Sequence, residues 1–202
     1  MTSPVTTPIL LVRHGQSEWN AQGRWQGQAD PPLSELGRQQ AFRAASRIGS
    51  VDVIVSSDLE RALHTAQIIS GQIGVGPVIV EPLFRERDAG EWSGLTREEI
   101  MAGWPGYLEE HRRPPSVETD ESVRERTAAA LANVEREYAG AEVLVLTHGG
   151  LVYELERDHG KPWERLPNLG GRAITLHGDR VEVHDRILLV DGDDITTVPA
   201  QI

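Results

Sequence analysis

The chain has 202 residues, 39% apolar and 25% charged, with a formal net charge of −11 and no cysteine. That length suits one domain over 1–202 with a sizeable core, and the missing cysteines exclude disulfides, thiolate metal sites and sulfur nucleophiles. The acidic balance argues against nucleic acid or an anionic membrane surface as a partner, and no apolar run approaches the ~18 residues of a membrane span.

Residues 1–8 carry neither the basic region nor the apolar core of a secretory signal, so they are read as a flexible lead-in and the protein as cytoplasmic. Apolar runs at 9–12, 51–55, 78–80 and 143–146 predict strands, followed by further runs at 173–176, 181–184 and 186–190. Helical patterns fall between them at 34–48, 57–70, 119–138 and 149–158. Ser57 with Glu60, and Thr96 with Glu99, have capping-box spacing at helix starts. This alternation predicts an α/β fold, a three-layer α/β/α sandwich on a mostly parallel central sheet with an antiparallel end. Residues 87–118 break the pattern with Trp, Gly, Pro and charge. An irregular insertion of this length is read as a lid over a binding site, the alternative being a surface excursion packed by its own tryptophans.

Four segments carry chemistry. In the first, the apolar run at 9–12 ends in Arg13-His14-Gly15, placing a fixed cation and a titratable nucleophile at a strand's carboxyl end, where α/β sheets bind ligands. The second, Ser56-Ser57-Asp58-Leu59-Glu60-Arg61, follows another apolar run and opens a helix. Arg61 there opposes the helix dipole, which an anion shared with Arg13 would justify. A solvated helix face is its alternative reading. The third, Thr147-His148-Gly149-Gly150, repeats the first, with glycine amides at a helix N-terminus. The fourth supplies an acid from Glu86, Asp88 or Glu91, among which spacing alone does not choose. Because the molecule is acidic overall, a phosphate would have to be held by this local Arg and His cluster.

Arg13-His14-Gly15, Arg61, Glu86 and His148-Gly149 occur in the order and spacing of the histidine phosphatase (phosphoglycerate mutase-like) superfamily, which the chain resembles. The likeness runs through 13–20, 27–41, 56–66, 84–94 and 147–150. It implies that His14 is the nucleophile that becomes a phosphohistidine. Arg13, Arg61 and His148 would hold the phosphoryl oxygens, and Glu86 would donate a proton to the leaving oxygen. Asn20 matches a phosphate- or substrate-contacting position, with Gly149, Gln16 and Ser17 as further phosphate-binding candidates. Arg87 matches a mutase substrate position, and Asn168, before the last strands, is read as a turn-former. No metal and no cofactor are expected, because arginines supply the charge a magnesium ion would otherwise provide.

The resemblance therefore implies a metal-independent phosphomonoester hydrolase acting on a small phosphorylated substrate. Mutase-type phosphoryl transfer and a non-catalytic phosphate-binding module are the alternatives. Relative to the glycolytic mutases, the inserted segment is short and Arg112-Arg113 lacks their flanking pattern, which favours hydrolysis. Tyr153 stands where the family commonly has a basic residue, a change expected to bear on substrate choice. Trp19, Trp25, Trp92 and Trp104 either form a collar for the leaving group or anchor their own loops. Sequence does not address oligomeric state.

Overall fold

A computed structural model describes residues 5–178 and 180–191. In chain order it contains β1 (Thr7–Arg13), α1 (Glu18–Ala21), α2 (Glu35–Ala44), β2 (Val53–Ser56), α3 (Glu60–Ile73), β3 (Ile79–Val80), α4 (Arg97–Gly103), α5 (Asp120–Tyr138), β4 (Val143–Thr147), α6 (Gly149–Asp158), β5 (Gly170–His177) and β6 (Arg180–Leu188). One six-stranded sheet has the order β3-β2-β4-β1-β5-β6. The pairs β3–β2, β2–β4 and β4–β1 are parallel, whereas β5 and β6 run antiparallel as the closing hairpin.

Alternation along the central strands decides the layers. Ile9, Leu11, Val143 and Val145 face one side, where Val123, Leu131 and Val134 of α5 and Leu151, Val152 and Leu155 of α6 cover them. Val12, Leu144 and Leu146 face the other, against Ala44 of α2 and Ala66 and Ile69 of α3. Helices thus cover both faces, and the parallel strands end together at one edge. No helix among the described residues is long and apolar enough to cross a membrane.

Three expectations are corrected. β1 begins at Thr7, inside the expected lead-in of 1–8, because Thr7 is buried and its Oγ1 accepts from Gly140 N (3.2 Å). Pro8 is accommodated because pairing with β4 starts only at Ile9. Residues 1–4 lie outside the described residues. The runs at 181–184 and 186–190 form a single strand ending at Leu188, since a bulge between Arg172 and Ile174 absorbs the polar interruption. Finally, Leu59 rather than Ser57 precedes α3, with no side-chain cap, so the capping box expected there does not form. The one at Thr96 and Glu99 does form.

The 87–118 segment folds around its own apolar cluster of Ala89, Trp92, Ile100 and Val117, against which Trp25 and Trp104 pack. Trp92 meets Trp25 edge-on at 5.1 Å and Trp104 at 6.2 Å. These three rings anchor loops, which answers the collar question for them. Backbone hydrogen bonds Trp25 N to Leu95 O (2.9 Å) and Gly94 N to Trp25 O (2.8 Å) tie the segment to the body.

Candidate active site

The sheet register assembles the site. Arg13 lies opposite Thr147, and Ser56 opposite Leu146, so His14, His148 and Ser57 leave neighbouring strands at the same edge. The His14 and His148 rings are 5.1 Å apart between centroids and inclined at 60°. Arg61, in the first turn of α3, reaches back to them and is fully buried. Its Nε donates to His14 Nε2 (3.3 Å), Nη1 to Ala29 O (2.7 Å) and Nη2 to Gly27 O (2.8 Å). Arg13, 9% exposed, donates from Nη1 to Leu166 O (2.6 Å).

These contacts determine the His14 tautomer. Its Nδ1 lies 2.6 Å from Gly15 O, a carbonyl that only accepts, so Nδ1 carries the proton. Nε2, facing a guanidinium that only donates, is left with the lone pair. Burial, then the charges of Arg61 and Arg13, hold the His14 pKa well below the ordinary imidazole value, so the ring is neutral at pH 7. His148 is lowered likewise, first by burial and then by Arg61 and His14.

Burial lowers Arg61 to about 10, and Arg13 also falls below its usual value. Both remain cationic, yet neither forms an ion pair with a carboxylate among the described residues. Arg13 Nε and His148 Nδ1 are buried without a hydrogen-bond partner among the described residues. Two buried cations and two orphaned nitrogens beside the unprotonated Nε2 of His14 form a cradle that a tetrahedral anion would complete.

An acid borders the cradle. Glu86 Oε2 accepts from Gly150 N (3.1 Å) in the first turn of α6, and Oε1 accepts from Arg87 N (2.7 Å). Its rivals point elsewhere: Asp88 Oδ1 accepts from Gly90 N and Glu91 Oε2 from Ser116 Oγ, both exposed. Of the three carboxylates, Glu86 is the one whose hydrogen bond reaches the first turn of α6 beside His148.

Comparison with known proteins decides the family. Residues 9–176 match the model of the histidine phosphatase superfamily (branch 1). The chain belongs to that superfamily. It is 38% identical over 179 residues to the glucosyl-3-phosphoglycerate phosphatase of Mycobacterium tuberculosis, covering 81% of this chain and 80% of the relative. It is 34% identical over 186 residues to phosphoglycerate mutase-like protein 4 of Arabidopsis thaliana, covering 85% and 81%. A solved mycobacterial glucosyl-3-phosphoglycerate phosphatase, in complex with VO3, superposes with a TM-score of 0.79 at 31% identity, over 87% of this chain and 96% of that one.

In this histidine phosphatase, other expected site residues build the loop behind His14. Gln16 N donates to Gln40 Oε1 (2.9 Å), and Gln16 Oε1 accepts from Ser34 Oγ (2.8 Å). Ser17 caps α1 in a box with Asn20, and its Oγ donates to Gln26 Oε1 (2.6 Å). Asn20 Oδ1 accepts from Ser17 N (3.1 Å) and Asn168 Nδ2 (3.2 Å). Gly149 lies against Arg13, whose Nε would be 3.7 Å from a Cβ there. Asn168 is no mere turn-former: it is buried and donates to His14 O (2.9 Å), holding the nucleophile's peptide. Arg87 is engaged away from the cradle, pairing with Glu154 (2.6 Å) and Asp120 (2.8 Å) and donating to Glu118 O (2.8 Å). These contacts occupy the guanidinium expected to meet substrate.

Sequence reasoning missed two polar groups. Ser57 Oγ lies 3.0 Å from His148 Nε2, and its position directly after β2 was the available signal, obscured by the cap pattern. Thr65 Oγ1 accepts from Gly15 N (3.1 Å) and donates to Arg61 O (2.6 Å), linking nucleophile loop and cation. Only its i+4 spacing from Arg61 hinted at this.

Proposed function

We propose that the chain is a phosphomonoester hydrolase working through a phosphohistidine on His14, without need of a metal. The observation that carries this is the lone pair of His14 Nε2, pinned by Gly15 O and Arg61 Nε amid two buried arginines that form no ion pair with a carboxylate among the described residues. Nε2 attacks phosphorus as the bond to the leaving oxygen breaks, and Glu86 gives that oxygen its proton. Water then attacks phosphorus, returns a proton to Glu86 and releases inorganic phosphate and neutral His14. Arg13, Arg61 and His148 stabilise charge on the three equatorial oxygens in both steps.

Hydrolysis is favoured over mutase transfer because the cations matched to a mutase carboxylate site are already paired. Arg87 is held as described above; Arg112 pairs with Glu110 (2.7 Å), and Arg113 pairs with Asp120. The mycobacterial relative's name makes glucosyl-3-phosphoglycerate the first natural substrate to try.

The test is release of p-nitrophenol from its phosphate in the presence of EDTA, with His14→Ala and Glu86→Ala alongside. Chelator-resistant turnover abolished by the first change and slowed by the second supports the proposal. Loss of activity with EDTA, or turnover surviving His14→Ala, overturns it. Conversion of 3-phosphoglycerate to its 2-isomer with added bisphosphoglycerate would establish the mutase alternative.

A further inference from the structure

We infer that Tyr153 and Arg186 are positioning residues that set the Arg13 guanidinium from behind, by clamping the backbone at 164–166 whose Leu166 carbonyl holds it. The inference rests on the reading of Arg13 as an anion ligand.

Arg13 Nη1 has Leu166 O as its partner at 2.6 Å, so the placement of that peptide sets the direction of the guanidinium. The other side of the residue is held too: Leu166 N donates to Tyr153 Oη (2.8 Å), and the Leu166 side chain is fully buried. The two preceding carbonyls are gripped by one cation. Arg186 donates to Glu164 O (2.8 Å) and Arg165 O (3.2 Å). The same guanidinium is fixed by Glu156, which accepts from Arg186 Nε (2.8 Å) and Nη2 (2.6 Å) and also from Arg172 Nε (2.8 Å).

Glu156 is 2% exposed, where two arginines compensate its charge. Such an arrangement is costly to build for a surface loop with no further task. Its placement explains it. Tyr153 and Glu156 are one turn apart on α6, the helix that begins at Gly149 beside His148. The Tyr153 ring also lines the Gly149 contact, since a Cβ there would lie 3.4 Å from Tyr153 Cε2 and 3.7 Å from Arg13 Nε. One rigid helix therefore carries the His148 end of the cradle and, through the 164–166 peptides, sets the Arg13 end. A fork-shaped donor depends on its plane, so a displaced carbonyl weakens anion binding with the charge unchanged.

The experiment is a double-mutant cycle on the affinity for inorganic phosphate, measured by equilibrium dialysis on wild type, Tyr153→Phe, Arg13→Met and the double variant. Tyr153→Phe should weaken phosphate binding about tenfold when Arg13 is present, and less than twofold in the Arg13→Met background. An unchanged affinity in Tyr153→Phe, or an equal loss in both backgrounds, overturns the relay while leaving the anion site intact. Should Arg13→Met bind phosphate as tightly as wild type, the anion site itself is refuted, and the relay with it. Arg186→Lys gives an independent arm if Tyr153→Phe folds poorly. It keeps the charge, loses the paired grip on Glu156 and the carbonyls, and should reproduce the background-dependent loss.

Discussion

The Glu86 carboxylate occupies the space that a side chain at Gly150 would need. Gly150 N holds Glu86 Oε2 at 3.1 Å, and a Cβ on Gly150 would collide with Oε1. Gly150→Ala should therefore swing the carboxylate aside while leaving the fold intact, because the obstructing atom is the end of a flexible chain. We expect kcat to fall about 10- to 100-fold, short of the 10²–10⁴ that general-acid removal can cost, with a melting temperature close to wild type. Unaltered kinetics would detach Glu86 from the chemistry.

Leaving-group dependence isolates the proton-transfer role. p-Nitrophenolate departs with little help, whereas an alkoxide must be protonated. Glu86→Gln keeps the size of the side chain without a transferable proton, its amide oxygen able to accept from one of the two backbone N–H groups that hold the carboxylate. It should slow an alkyl phosphate by about 10²–10⁴, and p-nitrophenyl phosphate by appreciably less. Equal slowing of both substrates would argue for a binding role.

The histidines make a signed pH prediction. His14 and His148 are held well below the ordinary value in the native state, by burial first and by Arg61 next. In the unfolded chain they take up protons as pH falls through about 6.5. Below that pH the unfolded state binds more protons than the native one, so stability rises with pH there and declines on acidification. Above pH 7 these groups contribute no slope. With a substrate whose own phosphate ionises well below the imidazole range, the acid limb of kcat/KM should lie below the ordinary imidazole value of about 6.5; a limb at or above that value would contradict a neutral, buried His14.

Ser57 is the partner of the second imidazole, at 3.0 Å from His148 Nε2. Ser57→Ala leaves that buried nitrogen, and Leu59 N, without this oxygen. We expect a loss of about 1–3 kcal/mol in denaturant unfolding, with weaker phosphate binding because His148 is no longer oriented. A fully stable variant with native affinity would show that His148 is positioned by packing alone.

Trp92, 1% exposed at the centre of the small cluster in the 87–118 segment, is the packing test. Its replacement by alanine should cost about 3–5 kcal/mol if that cluster melts together with the main sheet. Selective proteolysis within 87–118, with the main unfolding transition unmoved, would show instead that the segment melts on its own.

Much of this was legible in the residues themselves. Uninterrupted apolar runs at 9–12 and 143–146, alternating with helical patterns along the chain, needed no structure to place helices on both faces, because the pleat sends successive side chains to opposite sides. Two His-Gly pairs, each directly after an apolar strand, and Arg61 in the first turn of the helix after a third, announced one shared edge, since parallel strands all end there. What needed coordinates were contacts between distant residues whose local signal pointed elsewhere. Ser57 carried cap spacing yet turned to His148; Asn168 looked like a turn residue yet held the His14 carbonyl. Arg87 carried a cation's promise, but Glu154 and Asp120 neutralise it across 67 and 33 residues of chain.

By itself, then, the order of amino acids determined the layers and the sheet edge where Arg13, His14 and His148 gather, because those follow from period and strand direction. Tertiary structure alone decided which carboxylate meets the start of α6, which tautomer His14 adopts and which arginines form no ion pair among the described residues. Those outcomes depend on ångström-scale hydrogen bonding between segments that no local pattern relates.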